Sequence, residues 1–181
     1  MTFQDARHAQ WAIWTTEAEV VAPAWLRDAV GARAAAMAAR NDRVVTVGRM
    51  AVTVENTDDL TRAPGASVTP DTLPNDLDIT DLVVGGGAEA THRDTVQVQY
   101  EGKLVSNSTE FDSSWSRGGT PVEFPLGQVI DGFKLGISGM REGGRRILVV
   151  PPHQGYGPQG AGGVIPPNAH LVFVVDLVKV N

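Results

Sequence analysis

The chain of 181 residues contains no cysteine, which removes disulfides, thiolate metal ligands and thiol nucleophiles from its chemistry. No apolar run approaches the roughly 18 residues that cross a bilayer, so no membrane partner is expected. Glu17, Glu19 and Asp28 interrupt what would have to be the apolar core of a secretory leader, and no basic segment precedes it. With no export signal and no cysteine, the expected compartment is the cytoplasm. The net charge of −6 argues against a nucleic-acid partner. Gly85-Gly86-Gly87 follows a strand-like segment but lacks the G-x-G-x-x-G spacing, and another strand follows it rather than a helix. A dinucleotide loop is therefore not expected. Aromatic residues make up only 6% of the chain, and the two tyrosines are Tyr100 and Tyr156.

What is present is unevenly distributed. Residues 1–50 hold six arginines and five acids, so the acidic excess lies wholly in 51–181. No lysine occurs before Lys103, and three of the four tryptophans (Trp11, Trp14, Trp25) fall in the first 25 residues. Pro23 suits a helix start, and the Ala- and Arg-rich segment after it predicts a helix over 24–40. Val44 to Val47 and Met50 to Val54 read as short strands. Residues 55–76, with Asp58, Asp59, Pro64, Gly65, Pro70, Asp71, Pro74 and Asp76, have the composition of a linker. The expected organisation is an N-terminal extension over 1–54, a linker over 55–76 and one domain over 77–181. The charge change also raises the expectation that Met50 is the biological start. A chain reduced to 72–181 is expected to fold and stay active.

The stretch around which the domain is organised runs from Val149 to Leu177. A β-branched run ends at Pro151-Pro152, a loop of Gly, Pro and Gln carries Tyr156, and a Val164-Ile165-Pro166-Pro167 corner leads into a second apolar strand. Apolar residues in a loop held between two apolar strands suggest a shallow apolar pocket. Val96, Val98 and Tyr100 alternate with polar residues, as do Val122, Phe124 and Leu126, which marks half-buried strands. Ile130, Phe133 and Ile137 recur at i, i+3 and i+7, predicting a helix over 129–138 that ends at Gly139. Residues 77–181 therefore read as an α+β domain, about five antiparallel strands wrapped over one short helix.

Seven short motifs then fall in one order: Val98-Gln99-Tyr100-Glu101-Gly102, Phe111-Asp112-Ser113-Ser114, Phe124-Pro125-Leu126-Gly127, Val129-Ile130-Asp131-Gly132-Phe133, Gly139-Met140-Arg141-Glu142-Gly143-Gly144, Tyr156-Gly157 and Val164-Ile165-Pro166-Pro167. Together they resemble the FKBP-type peptidyl-prolyl isomerases, especially short single-domain bacterial members. The resemblance covers 77–181 and none of 1–70. It implies an FKBP-like fold and catalysed cis–trans rotation about X-Pro bonds in protein substrates, with no cofactor, no metal and no covalent step; a monomer is expected. It also implies binding of macrolide immunosuppressants in the same pocket. By position, the implied pocket is Tyr100, Phe111, Asp112, Val122, Val129, Ile130, Phe133, Tyr156, Val164, Ile165 and Phe173. Phe133 would be the floor, with Tyr100, Phe111 and Phe173 as walls. The Ile130 N–H and the Tyr156 hydroxyl would donate to substrate carbonyls, and Asp112, with Arg117 as charge partner, would face the twisting amide.

Each residue also has a plainer reading. Phe133 and Phe173 suit any apolar core, Asp112 before two serines suits an Asx-turn, and Tyr156 suits a loop anchor. Several positions depart from the family pattern. Phe133 stands where Trp is frequent, Val122 where an aromatic is common, Ala161-Gly162 where a bulkier pair is found, and the segment around Gln128 is shorter. These changes imply a more open pocket. The alternative function is a non-catalytic FKBP-like module for ligand or partner binding, which would have lost Tyr100, Asp112, Phe133 or Tyr156. A metal-linked chaperone of related type would need a histidine-rich tail and an insertion before Val164, whereas His8, His92, His153 and His170 are scattered.

Overall fold

The structure, a computed structural model, describes residues 42–47, 50–69 and 72–181. All of them belong to the unit Asn41–Asn181. The helix expected over 24–40 lies outside the described residues.

Two sheets form. The first is an antiparallel meander of β1 (Arg43–Val47), β2 (Met50–Val54) and β3 (Ala66–Thr69). The second holds β4 (Asp78–Val83), β5 (Thr95–Leu104), β6 (Glu110–Ser113), β7 (Val122–Pro125), β8 (Gly144–Val150) and β9 (Leu171–Val180). Its order is β4-β8-β9-β5-β6, with β7 pairing along the other half of β5. Every pairing in both sheets is antiparallel. The large sheet thus has six strands rather than about five, because β6 and β7 share one edge of the long β5. Pro125 ends β7, and β7 pairs only with β5, which suits a residue lacking a ladder donor.

One helix, α1 (Asp131–Ile137), crosses the front of the large sheet. It is shorter than the expected 129–138, since Val129 and Ile130 are extended and Ser138 caps its C-terminal end. Phe133 and Ile137 face the sheet, and so do Gly132 and Gly136. A Cβ on Gly132 would lie 2.3 Å from Val150, and one on Gly136 2.5 Å from Leu148. The two glycines therefore let the helix axis approach β8 closely.

Alternation along β8 and β9 divides their side chains between two cores. Leu148, Val150, Leu171, Phe173, Val175 and Leu177 join Phe133 and Ile137 at the front. Ile147, Val149, Val172 and Val174 point to the back, where Val47, Met50, Val52, Val54 and Ala66 of the small sheet cover them. All nine are buried. The small sheet is thus a third layer on the domain. Part of the stretch 55–76, expected as a linker, lies in this layer. Ala66–Thr69 within it forms β3, and the β2–β3 connection is tied to the large sheet by Arg145. That side chain is fully buried and grips Asp176 through two bonds, Nε to Oδ1 at 2.5 Å and Nη2 to Oδ2 at 2.6 Å. It also donates to the carbonyls of Asn56 and Arg62. Burial raises the Asp176 carboxyl above its ordinary value, and the Arg145 guanidinium opposes the rise. A polar, proline-rich stretch reads as a linker because none of its own side chains announces the buried guanidinium that its backbone satisfies.

Candidate functional site

The front core is incomplete at one end. Between α1, β5, β6, β9 and the loop after β8 lies a cavity of about 550 Å³. Phe133 projects from the first turn of α1 into its base, where its ring meets three others. Centroid distances are 6.0 Å to Tyr100, 5.9 Å to Phe124 and 5.3 Å to Phe173, with interplanar angles of 77°, 79° and 70°. Phe111 meets Phe173 edge to face at 5.5 Å. Such edge-on packing suits the charge distribution of aromatic rings. Rigid rings set this way hold a concave surface that does not collapse.

Two local features aim Phe111. The β5–β6 register pairs Gly102 with Asp112 and Lys103 with Glu110, so Phe111 sits in a β-bulge. Bulges re-aim side chains. Behind it, a Cβ on Gly102 would fall 2.8 Å from the Phe111 ring and 2.9 Å from the Phe173 ring. Only glycine at 102 admits both rings.

Asp112 follows on β6 and is half exposed. The Tyr100 hydroxyl donates to its Oδ2 at 2.5 Å, Arg117 pairs with its Oδ1, and Arg117 Nη2 donates to the Tyr100 hydroxyl oxygen at 2.8 Å. The guanidinium carbon also stands 5.7 Å from the Tyr100 ring centroid. Asp112 therefore does not form the Asx-turn that its neighbours suggest; its carboxylate is committed to a three-membered network. The turn carrying Arg117 is fixed by Ser114, whose N–H donates to the Tyr100 carbonyl at 3.0 Å and whose Oγ accepts the Tyr100 N–H at 2.9 Å.

The opposite rim is the loop after β8. Tyr156 stands between two 3-10 turns, Pro152–Gln154 and Gly157–Gln159. Ala161 and Ile165 exchange backbone hydrogen bonds, both 3.0 Å, which closes the loop tip. Ile165 is buried, while Tyr156 and Val164 are 39% and 58% exposed at the mouth. Val129 and Ile130 line the side nearest the N-terminus of α1.

Of the residues expected at the pocket, Tyr100, Phe111, Asp112, Val129, Ile130, Phe133, Tyr156, Val164, Ile165 and Phe173 line this one cavity. Val122 does not. Its short side chain packs on the front core instead. Two residues further along β7, Phe124 reaches the wall that Val122 leaves free, 5.7 Å from Tyr100. Phe124, Gln128, Ala161 and Gly162 also line the cavity; the last three lie where the sequence implied a more open pocket, whereas Phe124 was not expected there. The signal for Phe124 was its alternation with Val122, which puts both on one face of β7. Among the described residues no cluster of His, Asp or Glu could hold a metal ion.

The comparisons with known proteins fall on this part of the chain. A family model for FKBP-type peptidyl-prolyl cis-trans isomerases matches residues 86–178, a span that starts after β3 and β4. The chain is 50% identical to an FK506-binding protein of Streptomyces anulatus over 110 residues, covering 59% of this chain and 88% of that one. It is 46% identical to the peptidyl-prolyl cis-trans isomerase Mip of Coxiella burnetii, covering 61% of this chain and 47% of that protein. The crystal structure of FkpA from Escherichia coli superimposes with a TM-score of 0.55 at 41% identity, over 58% of this chain and 48% of the other.

Proposed function

Since this chain belongs to the FKBP-type peptidyl-prolyl cis-trans isomerase family and is an isomerase of X-Pro bonds, we propose that the cavity over Phe133 is where it takes the proline and turns the bond. The observation that carries this reading is the convergence of Phe133, Tyr100, Phe111 and Phe173 on one concave apolar surface with a single charged network at its wall.

The uncatalysed rotation faces a barrier of roughly 18–20 kcal/mol, because the planar amide gains resonance and places partial charge on its oxygen. The twisted transition state has lost both. An apolar, water-poor cavity therefore holds the twisted form better than the planar one, which is the differential binding that lowers a barrier. An acceleration on the order of 10⁵-fold corresponds to about 7 kcal/mol of such preference. No bond is made or broken to a side chain and no proton has to move. Phe133 supports the proline ring, with Tyr100, Phe111 and Phe173 as the walls. The Ile130 N–H and the Tyr156 hydroxyl donate to carbonyls flanking the proline and hold the chain on either side of the rotating bond. Asp112 already accepts from Tyr100 and Arg117. It presents a fixed charge beside the rotating amide and is not a general base.

The substrates in this reading are proline-containing segments of proteins. Macrolides of the kind named by the Streptomyces anulatus relative would occupy the same cavity and exclude them. Among the described residues no helix is long and apolar enough to cross a membrane. A cytoplasmic location and a monomeric state belong to the same proposal.

The test is isomerisation of an Ala-Leu-Pro-Phe-type peptide by wild type and Asp112→Ala, with a macrolide as competitor. Asp112→Ala is expected to stay folded and lose roughly tenfold in kcat/KM, equivalent to about 1.4 kcal/mol. The macrolide is expected to inhibit competitively. A folded Asp112→Ala with the wild-type rate would remove Asp112 from the reaction. A peptide that turns over undisturbed with the macrolide bound would place the reaction elsewhere.

A further inference from the structure

β3 is the last strand of the small sheet, so among the described residues one of its edges has no strand partner. Unpaired edges leave N–H and C=O groups that need partners. Here side chains of the β5–β6 hairpin supply them. The Ala66 N–H donates to Glu101 Oε2 at 2.7 Å, and the Ala66 carbonyl accepts from Lys103 Nζ at 2.6 Å. Glu101 and Lys103 pair with each other at 3.1 Å, their side chains only 7% and 16% exposed. One step along, the Val68 N–H donates to Ser108 Oγ at 2.9 Å, and the same hydroxyl donates to the Val68 carbonyl. Two successive outward-facing residues of β3 are thus gripped by one hairpin.

That hairpin is the one that carries Phe111 and Asp112. Side chains alternate across a strand, so Glu101 and Lys103 leave the back of β5 while Gly102 between them faces the cavity. Gly102 leaves to the Phe111 and Phe173 rings the space a Cβ would take, and it pairs with Asp112 in register. Any shift of β5 at 101–103 moves the backing of one pocket wall. We propose that Glu101 and Lys103, held by the edge of β3, are positioning residues for the isomerase reaction, and that this edge, through them, sets the wall formed by Phe111 and Asp112. This rests on the reading that those two residues face the substrate.

The experiment uses the full chain and reads two things, kcat/KM on a Leu-Pro peptide and the backbone amide shifts of Phe111 and Asp112. Glu101→Ala is expected to lower kcat/KM roughly tenfold and to move both amides, since displacements of about 1 Å at a reacting centre cost up to 10²-fold. Glu101→Gln keeps an oxygen acceptor for the Ala66 N–H and is expected to return to within roughly twofold of wild type. Val47→Ala, in β1 and not in the clamp, is expected to lower stability while leaving rate and both amides unchanged. A folded Glu101→Ala with the wild-type rate and unshifted amides would overturn the proposal. So would an equal rate loss in Val47→Ala, which would mean general loosening. Phe111→Ala is measured alongside. A wild-type rate there would overturn the pocket reading instead, and the amide shifts in Glu101→Ala would still decide the clamp. Should Glu101→Ala fail to fold, Ser108→Gly decides on the same readouts, because glycine tolerates the φ of 57° that Ser108 adopts. A smaller shift of the same amides is expected, and no shift would sink the clamp.

Discussion

The front and back of the six-stranded sheet are built from alternate residues of the same strands, yet they differ in composition and in what covers them. At the back, Ile147, Val149, Val172 and Val174 meet Val47, Met50, Val52 and Val54, and every one of these side chains is at most 1% exposed. β-branched aliphatics dominate there and interlock completely. At the front, the aromatic side chains Tyr100, Phe111, Phe124, Phe133 and Phe173 stand edge to face or tilted around space that stays open. Aromatic rings give large contact area with few rotatable bonds, so they form a rigid wall without needing to fill the room in front of it. An open apolar cavity forgoes burial that the protein could otherwise gain. The sealed back face offsets that loss, as stability elsewhere generally must when a functional surface is left unfilled.

Removing the cover is the most direct way to break this contrast. A chain that begins at Thr72 lacks the whole small sheet and exposes Ile147, Val149, Val172 and Val174 together. Burial of such side chains contributes roughly 1.5–3 kcal/mol each as an upper estimate. Their loss is comparable with the roughly 5–15 kcal/mol that holds an ordinary domain folded. The expected outcome is an insoluble or non-cooperatively unfolding product, the reverse of what the composition of 55–76 suggests. Calorimetry or urea unfolding of the truncated chain checks it, and a soluble product with a sharp transition would show that the small sheet is dispensable.

A point change at Arg145 attacks the same seam more locally. Arg145→Leu leaves the Asp176 carboxylate buried without its partner, and the Asn56 and Arg62 carbonyls lose a donor. Breaking one side of a buried ion pair costs about 3–5 kcal/mol. Adding Asp176→Leu is expected to recover part of that loss, because two apolar side chains opposite each other on β8 and β9 suit the layer they enter. Urea midpoints of the two single variants and the double variant decide this. A double variant no more stable than Arg145→Leu would mean that the carbonyl contacts, not the pair, hold the seam.

The contrast between the faces also explains what could be read from the sequence. The front was legible. Phe133 and Ile137 recur at helical spacing, Val96, Val98 and Tyr100 alternate, and the order of the seven motifs names the family. The back was encoded less directly. Ile147-Leu148-Val149-Val150 and Leu171 to Val175 are unbroken apolar runs, where a strand with one wet face would alternate. Such runs need cover on both sides, and α1 covers only one. β1 and β2 matched the strands expected at 44–47 and 50–54. β3 did not declare itself, because its outward backbone groups are satisfied by Glu101, Lys103 and Ser108, some 35 to 40 positions away. Val122 and Phe124 show a different limit. Both occupy the expected face of β7, but which one reaches the cavity depends on side-chain length, and position alone pointed to the shorter.

The smallest expected effect tests the front face at its wettest point. Tyr156 is 39% exposed at the mouth of the cavity, and its hydroxyl has no hydrogen-bond partner among the described residues. Tyr156→Phe removes one oxygen and keeps the ring. Because no described residue depends on that hydroxyl, the unfolding midpoint is expected to stay within experimental error of wild type. A hydrogen bond made to a substrate carbonyl contributes a net 0.5–1.5 kcal/mol, about a two- to tenfold loss of kcat/KM. The division between the two constants says where the bond matters. A rise in KM at constant kcat would mean that the hydroxyl holds planar and twisted amide equally. A fall in kcat at constant KM would mean that the bond tightens as the amide twists, making Tyr156 part of the barrier-lowering preference. The half-exposed rim favours the first. In the proposed site water competes there for the same carbonyl in both states, whereas the buried rings below would discriminate by excluding it.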